Sequence, residues 1–528
     1  MINAAHLVKI WRQENMVSSD GLAETKELPA VSYEDEKGIY GRLVQVDGPK
    51  HGSLQSCGVF QPGRKVTTNC FDKGQLYYSL HGVQTYLSRL GIKTQKILTS
   101  NANGPFPIRA HANATSALNA WYSPQSKDLT FGTAGDMSKG EDQWHLASDN
   151  DVSVHEFGHL ILDHINPMLG KTHYGEGRAI HEGFGDALAA LYHNDAEMSE
   201  DFAVAMGRTP NKEDGLRNLN NDLTIEQVST EEHDRGQVYS AFFWSLKKYL
   251  SDQNGPFKLS ERAAADLCVK ILFNHASMYQ SSSPKPKDFV FAVLLGIDGL
   301  ASEDLLGVDI NALKSTVTWE AARRKLIKPD DKIDQGEYAE SFEEIRHLFS
   351  KKTRFQPFHS TSFIGGTREI HQQKYITANG VEVDVVGKGL IVNKDAKGSV
   401  LSISLKDVWR PKSGNVDETI SIPPSEAMRF AGMDAGKRMN EAQSWMNALY
   451  ASPPENSFEL YQQFEMDKII AQTALQNLTG PGFGSPKLNL VLIPESGNLH
   501  YEIKVGMGIY YVNARTGDVI FKKDVFVN

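Results

Sequence analysis

The sequence predicts an α+β protein in which a β-rich N-terminal part precedes a helical middle part and a second β-rich part that also contains helices. Three observations support this class. Strand-like runs between Gly, Pro and Asn turns fill residues 30–135, apolar residues repeat at helical spacing from Asp151 to about Leu348, and strand patterns return after residue 367. A chain of 528 residues has room for about three or four domain-sized units.

These patterns divide the chain into four segments. Residues 1–150 are predicted to be β-rich with one helix near 74–89, and residues 151–349 to be helical. The helices of that second segment are expected at 152–164, 178–193, 236–250, 260–275 and 287–296. Residues 350–366 are polar, basic and end in two glycines, which indicates a linker. Residues 367–528 are predicted to hold strands in 368–411, helices at 424–451 and 458–477, and a β-meander at 488–526 with turns at PESGN and ARTGD.

Composition and charge exclude several classes of protein. Lys and Arg total 55 against 65 Asp and Glu, the net charge is −10, and no basic block is present, so we expect no nucleic-acid partner. The longest apolar run, Phe289 to Ile297, has nine residues, which is too short to span a bilayer, so we expect no membrane insertion. The N-terminal residues lack the apolar core of a secretory signal.

The three cysteines are too few for a disulfide framework. Cys57 and Cys70 either close one loop or remain separate thiols, and the sequence leaves both possibilities open. Cys268 lies in the helical stretch ERAAADLCVKILF, where a core position is the simplest interpretation.

The string VSVHEFGHLILDH carries the main chemical signal. His155 and His159 are spaced i and i+4, so a helix presents both imidazoles on one face, as a tetrahedral zinc ion requires. Glu156 lies beside that pair and can accept a proton from a metal-activated water. The ordinary alternative is a solvated face of His and Glu. A second predicted helix, GRAIHEGFGDALAALYH, supplies the third ligand, Glu182.

Two carboxylates are expected to support the ligands without touching the metal. Asp186 follows Glu182 by one turn and can accept the second ring N–H of a ligand histidine, which fixes its tautomer. Asp151, one turn before His155, is another candidate for this role.

Taken in order, these motifs resemble the thermolysin-like (gluzincin) zinc metallopeptidases and their fungalysin relatives over residues 70–345. DVSVHEFGH and HEGFGD match the zinc helices, so the resemblance implies one catalytic Zn²⁺ on His155, His159 and Glu182, with Glu156 as general base. The resemblance also implies a two-lobed catalytic domain, with a β-rich N-lobe, a helical C-lobe and the zinc helix between them.

Other motifs extend the resemblance to the substrate. ALNAWYSPQSKDLTFG resembles an edge strand that binds the peptide backbone, which would give Asn119 and Ala120 hydrogen bonds to substrate. GLRNLN places Arg217 near the residue that follows the scissile bond. EEHDRGQVYSAFFWSL places His233 where the family keeps an oxyanion-stabilising histidine, and Tyr174 is the nearest counterpart of the tyrosine that assists it.

The match is incomplete in several places, among them His181, which stands where the family usually has Asn, and the short spacing between Arg217 and His233. Tyr174 is out of register by about one position, and LYHND offers a single acidic residue where the family's calcium sites use several, so a full calcium set is not expected. Residues 367–528 resemble the FTP and PepSY propeptide modules of the same family, although such modules normally precede the catalytic domain. An unrelated β-rich accessory domain remains the alternative for this region.

The sequence thus predicts a zinc-dependent endopeptidase that acts on peptide or protein substrates and whose C-terminal module binds the catalytic cleft in cis. The resemblance favours a location outside the cytoplasm. One alternative is a gluzincin aminopeptidase, for which the acidic segment 140–151 would capture a free amino terminus. The other is a non-catalytic binding or inhibitor protein on a metallopeptidase scaffold.

Overall fold

We describe the protein from a computed structural model. The described residues are 7–11, 23–29, 31–50, 67–99, 106–116, 119–134, 144–167, 169, 175–199, 203, 215–279, 284–300, 304–328, 338–339, 353–363, 366–395, 400–404, 416, 418–451, 468, 471–472, 487–494, 496, 498–505, 508–523 and 526–527.

In chain order the strands are β1 (Leu7–Trp11), β2 (Ala23–Glu27), β3 (Val31–Glu34), β4 (Gly38–Gly41), β5 (Val44–Asp47), β6 (Ile108–Thr115), β7 (Ala120–Ser123), β8 (Asp128–Ala134), β9 (Trp144–His145), β10 (Glu197–Met198), β11 (Arg217–Asn218), β12 (Tyr338–Ala339), β13 (Thr353–Phe363), β14 (Gly366–Ile376), β15 (Glu382–Asp395), β16 (Val400–Ser404), β17 (Lys487–Ile493), β18 (Asn498–Val505), β19 (Gly508–Asn513), β20 (Val519–Lys523) and β21 (Phe526–Val527). The helices are α1 (Asn69–Arg89), α2 (Thr94–Leu98), α3 (Asn150–Ile165), α4 (Glu176–His193), α5 (Glu232–Ser251), α6 (Glu261–Met278), α7 (Pro286–Asp298), α8 (Ile310–Arg323) and α9 (Pro424–Ala451).

The first large sheet has the order β21-β7-β8-β6-β5-β4-β3, with β9 paired to β8. The β5–β6 and β6–β8 pairs are parallel, and the β7–β8 pair is antiparallel. Helix α1 packs over β5 and β6, and α3 packs against β7 and β8. The sheet therefore provides a rigid support for α3, which carries both motif histidines.

One contiguous hydrophobic core runs from this sheet into the helices of the second segment, from Leu28 to Ile327. It includes Phe131 on β8, Phe157 on α3 and Phe184 on α4, which are all almost fully buried. Because buried apolar surface is continuous across these elements, the sheet and the helices stabilise one another.

Strands β14 to β20 of the fourth segment, together with β12 and β13, form a separate nine-stranded sheet. Its order is β12-β16-β15-β17-β18-β19-β20, and β14 pairs with both β13 and β15. Strands β17 to β20 are the antiparallel meander that the turn signals predicted. Helix α9 packs on β18, β19 and β20, and a second core forms between them around Ala431, Ile503 and Tyr510. The chain is thus α+β in general, as predicted.

The linker prediction was wrong for residues 353–363. These residues form β13, which pairs antiparallel with β14 from Thr353↔Tyr375 to Phe363↔Gly366. The register shifts between Pro357 and His359, so the proline lies at a bulge, where its missing N–H interrupts little of the ladder. The predicted helix at 458–477 lies almost entirely outside the described residues.

The structure describes two of the three cysteines, Cys70 and Cys268. Cys70 is disulfide-bonded, whereas Cys57 lies outside the described residues. Cys268 is a free, fully buried thiol on α6, and burial raises its pKa. Among the described helices, none combines the length and the apolar character that crossing a bilayer requires.

Candidate metal centre

Helix α3 begins at a well-formed cap. The side chain of Asp149 accepts a hydrogen bond from the backbone N–H of Val152 at 3.0 Å, which satisfies one of the free donors of the first turn. The helix then places His155 and His159 one turn apart on the face that is turned inward, and neither side chain is exposed to solvent.

Helix α4 lies in backbone contact with α3 because both helices have a glycine where they meet. A Cβ atom on Gly158 would lie 2.8 Å from the Cα of Gly185, and one on Gly185 would lie 2.8 Å from Nδ1 of His155. Any larger residue at either position would therefore force the helices apart. The two glycines set the spacing at which Glu182, one turn earlier on α4, reaches the histidines.

His155, His159 and Glu182 form a buried group that can hold a metal ion. The two Nε2 atoms are 3.0 Å apart, and Oε2 of Glu182 lies 3.3 Å from Nε2 of His155 and 3.5 Å from Nε2 of His159. Two ligands bound at about 2.1 Å with a tetrahedral angle between them are separated by roughly 3.4 Å. The observed spacings thus fit three corners of a tetrahedron around one small cation.

Asp186 holds the first histidine from behind. Its Oδ1 atom lies 2.8 Å from Nδ1 of His155, and Arg217 donates from Nη2 to Oδ1 and from Nε to Oδ2, both at 2.9 Å. Burial alone would raise the pKa of Asp186, but Arg217 and His155 outweigh burial and lower it to about 2. The ionised carboxylate keeps the proton of His155 on Nδ1, which leaves Nε2 with a lone pair for a metal.

Glu156 is fully buried, and no side chain among the described residues donates a hydrogen bond to its carboxylate. Burial raises the pKa of Glu156 to about 8, and the neighbouring histidines and the backbone N–H of Tyr122 only partly oppose that shift. A general base needs a pKa near neutral pH. The raised pKa of Glu156, next to the candidate metal site, gives it this property.

His233 faces the same group from the start of α5. Its Nε2 atom lies 3.5 Å from Oε2 of Glu182, and its Nδ1 atom lies 2.7 Å from Oε1 of Glu231. Burial by itself lowers the pKa of His233, but Glu182 and Glu231 more than offset burial and raise it to about 10. The imidazole is therefore held as a cation beside the metal ligands.

Glu231 was not predicted from the sequence. It is the N-cap of α5 and accepts hydrogen bonds from the backbone N–H groups of His233 and Asp234 at 2.8 and 3.0 Å. Its other oxygen orients the His233 ring. The sequence did contain a signal for this role: Glu231 stands two residues before His233 and shortly before the predicted helix 236–250.

Two ion pairs then fix α5 against α4. Arg235 donates to both carboxylate oxygens of Glu176, at 3.0 and 2.7 Å, and Arg178 pairs with Glu232.

The segment predicted to bind peptide lies beside α3. Asn119 directly precedes β7, and Ala120 is its first residue. The backbone N–H of Ala120 donates to Oδ1 of Asn119 at 2.9 Å, and the hydroxyl of Tyr122 on the same strand donates to Asp163 on α3 at 2.8 Å. The strand is thereby fixed along the helix that carries the histidines.

The other residues that the sequence assigned to the site are Asp151, Arg217 and Tyr174. Asp151 accepts a hydrogen bond from the backbone N–H of Ser199 at 2.9 Å and lies 3.7 Å from Nε2 of His193, so these contacts connect α3 to the end of α4 and to β10. Arg217 contacts Asp186, as described above, which makes it a neighbour of the ligand shell. Tyr174 lies outside the described residues.

Comparison with known proteins gives no further identification: no protein-family model matches this chain, and no curated protein matches it.

Proposed function

We propose that this protein is a zinc-dependent endopeptidase. The observation that carries the proposal is the convergence of His155, His159 and Glu182, from two helices, around one point that is shielded from solvent. Glu156 and His233 lie close enough to this group for their charges to influence it.

The donor set favours zinc over other cations. Two imidazole nitrogens and one carboxylate oxygen at tetrahedral spacing are the ligand set of catalytic zinc sites, whereas magnesium and calcium prefer sets made of oxygen alone. When bound, zinc supplies a Lewis acid that polarises a carbonyl and lowers the pKa of water. Three protein ligands leave a fourth position for water or substrate.

The chain's own residues can perform the remaining work. The Glu156 carboxylate accepts the proton of the attacking water and returns it to the leaving amine. The cationic His233 provides a fixed donor where negative charge develops on the carbonyl oxygen. Strand β7 holds the peptide in extended form beside α3, as an added strand. Asp186 and Arg217 keep His155 in the required tautomer.

The test combines metal analysis with hydrolysis of internally quenched peptides, one set blocked at the N-terminus and one set with a free amino terminus. The wild-type protein and Glu156→Gln are expected to bind one zinc ion each, and Glu156→Gln should lose roughly 10²- to 10⁴-fold in kcat because the base is gone. Glu182→Gln should lose the metal itself. Glu226→Gln, which changes an exposed glutamate on a loop, is the matched control and should behave as wild type.

Each alternative has its own outcome in this experiment. Hydrolysis only of peptides with a free amino terminus would replace the endopeptidase proposal with an aminopeptidase. Stoichiometric zinc without hydrolysis of any peptide would indicate a binding protein. Absence of zinc from the wild-type protein after equilibration with the metal would refute the proposal as a whole.

A further inference from the structure

The first sheet ends with a strand from the opposite end of the sequence. Strand β21 pairs antiparallel with β7, with Phe526 opposite Tyr122 and Val527 opposite Trp121. Apart from β21, the only strand paired with β7 in the described part of the chain is β8. Without β21, β7 would be an edge strand with open backbone donors and acceptors, which is the arrangement that binds extended peptides.

This edge lies next to the candidate metal centre. Strand β7 packs against α3, the helix that carries His155, Glu156 and His159, and the hydroxyl of Tyr122 on β7 donates to Asp163 on α3 at 2.8 Å. Neighbouring strands in a sheet are about 4.8 Å apart, so β21 occupies the layer directly outside the strand that adjoins the proposed base.

A second observation shows unused binding capacity at the same strand. Asn119 is 3% exposed, and its Nδ2 atom has no hydrogen-bond partner among the described residues. Its amide orientation is fixed, because Oδ1 accepts the N–H of Ala120. A buried amide donor without an acceptor is costly, and the carbonyl of an extended peptide on β7 would satisfy it.

We propose that residues 526–527 occupy the place along β7 that an extended peptide substrate takes, so that this segment competes with substrate in cis. The competition with substrate rests on the function proposed above, whereas the pairing of β21 with β7 does not depend on that function. The occupant is a named segment of this chain, and the ligand class that displaces it is an extended polypeptide.

The size of the contact makes it a reversible competitor. Within the described residues, two residue pairs connect β21 to β7. Each net hydrogen bond of this kind changes an equilibrium constant by roughly three- to tenfold. A tethered segment acts at an effective concentration of about millimolar, so even this weak pairing competes with dilute peptides. We therefore expect β21 to raise the apparent KM without changing kcat.

Antiparallel pairing supplies a matched control within the two residues. In such a ladder, a residue directs its N–H and C=O to the same neighbour, and the next residue directs both groups away. Either Phe526 or Val527 therefore donates its N–H to β7, and the other does not. Proline removes an N–H, but an edge strand tolerates it at the residue that faces away.

The experiment compares Phe526→Pro and Val527→Pro in the full chain, with thermal melting to verify the fold. One of the two variants should lower KM for a blocked quenched peptide by about three- to tenfold with kcat unchanged, and the other should match wild type. The same pair is then made in the Glu156→Gln background. There, equilibrium binding of a fluorescein-labelled FKKDVFVN peptide should tighten by the same factor in the same variant.

The outcomes separate this inference from the proposed function. Hydrolysis with equal KM values in all three proteins would support the endopeptidase and overturn the competition by β21. Tighter peptide binding in one proline variant, without hydrolysis by any protein, would support β21 and refute the peptidase. Equal effects of both prolines would show that the strand pairing is not the cause, and would also overturn the inference.

Discussion

Replacing Asp186 with Asn tests how the ligand set is held. The substitution keeps the size of the side chain but removes the charge that two partners use, His155 Nδ1 at 2.8 Å and Arg217 at 2.9 Å. The carboxylate is 1% exposed and the Arg217 side chain 10% exposed, so water cannot replace the lost partner. Leaving one member of such a buried pair uncompensated costs about 3–5 kcal/mol.

The same change should weaken metal binding through a separate effect. An amide no longer keeps the proton of His155 on Nδ1, and loss of such a supporting carboxylate typically lowers metal affinity about 10- to 100-fold. Urea unfolding of the metal-free protein gives the first quantity, and competition for zinc with a chromogenic chelator gives the second.

A double variant, Asp186→Asn with Arg217→Met, separates the two effects. Removing the arginine charge should restore most of the lost free energy of unfolding, because no uncompensated charge remains buried. Zinc affinity should stay low, since His155 still lacks its carboxylate. If the double variant recovered both stability and wild-type zinc affinity, or if Asp186→Asn bound zinc as wild type, the assignment of Asp186 as the partner of His155 would be wrong.

Two further predictions concern packing and pH. Gly158→Ala should cost about 1–3 kcal/mol of unfolding free energy and weaken zinc binding, because its Cβ would lie 2.8 Å from the Cα of Gly185. The control Gly436→Ala lies in α9 with no atom within 4 Å of the added Cβ, and it should raise stability by up to about 1 kcal/mol; equal effects of the two variants would refute the role of helix spacing. The hydrogen bonds that His111 donates to Asp128 and Asp47 raise its pKa to about 9, so the contribution of His111 to stability is fully present below pH 6.5 and is lost as pH rises through 9. Since both partners are partly exposed, we expect His111→Gln to remove only about 1 kcal/mol at pH 6 and nothing at pH 10 in urea unfolding, and a loss that is the same at both pH values would contradict this prediction.

The candidate ligands could be predicted from the sequence because the geometry of a helix depends only on residues that are close in the chain. A spacing of four residues places His155 and His159 on one face of any α-helix, and the string HEGFGD indicated a second helix with a carboxylate at the right position. The bounds of α3 and α4 differ from the predicted helices by at most two residues at either end. The distance between α3 and α4 could not be predicted from the sequence, since it depends on the contact between Gly158 and Gly185.

Strand pairings that depend on distant parts of the chain were missed. Residues 353–363 are mostly polar and contain Pro357, and such a composition is common in loops. They are a strand because β14 provides a partner, and because the proline falls at a bulge. Strand β21 comprises two described residues, too few for any periodicity. Its pairing partner, β7, lies far earlier in the chain.

The contact between Gly158 and Gly185 also limits how this centre can change. The distance between its donor atoms is determined by two helix backbones that already touch, so no substitution can bring the helices closer, and larger side chains separate them. A shift toward another cation would therefore have to exchange nitrogen for oxygen or sulfur at fixed positions. For any metal ion held by this group, the preference would depend on the donor atoms of His155, His159 and Glu182, because the close contact of Gly158 with Gly185 sets the distance between the two helices.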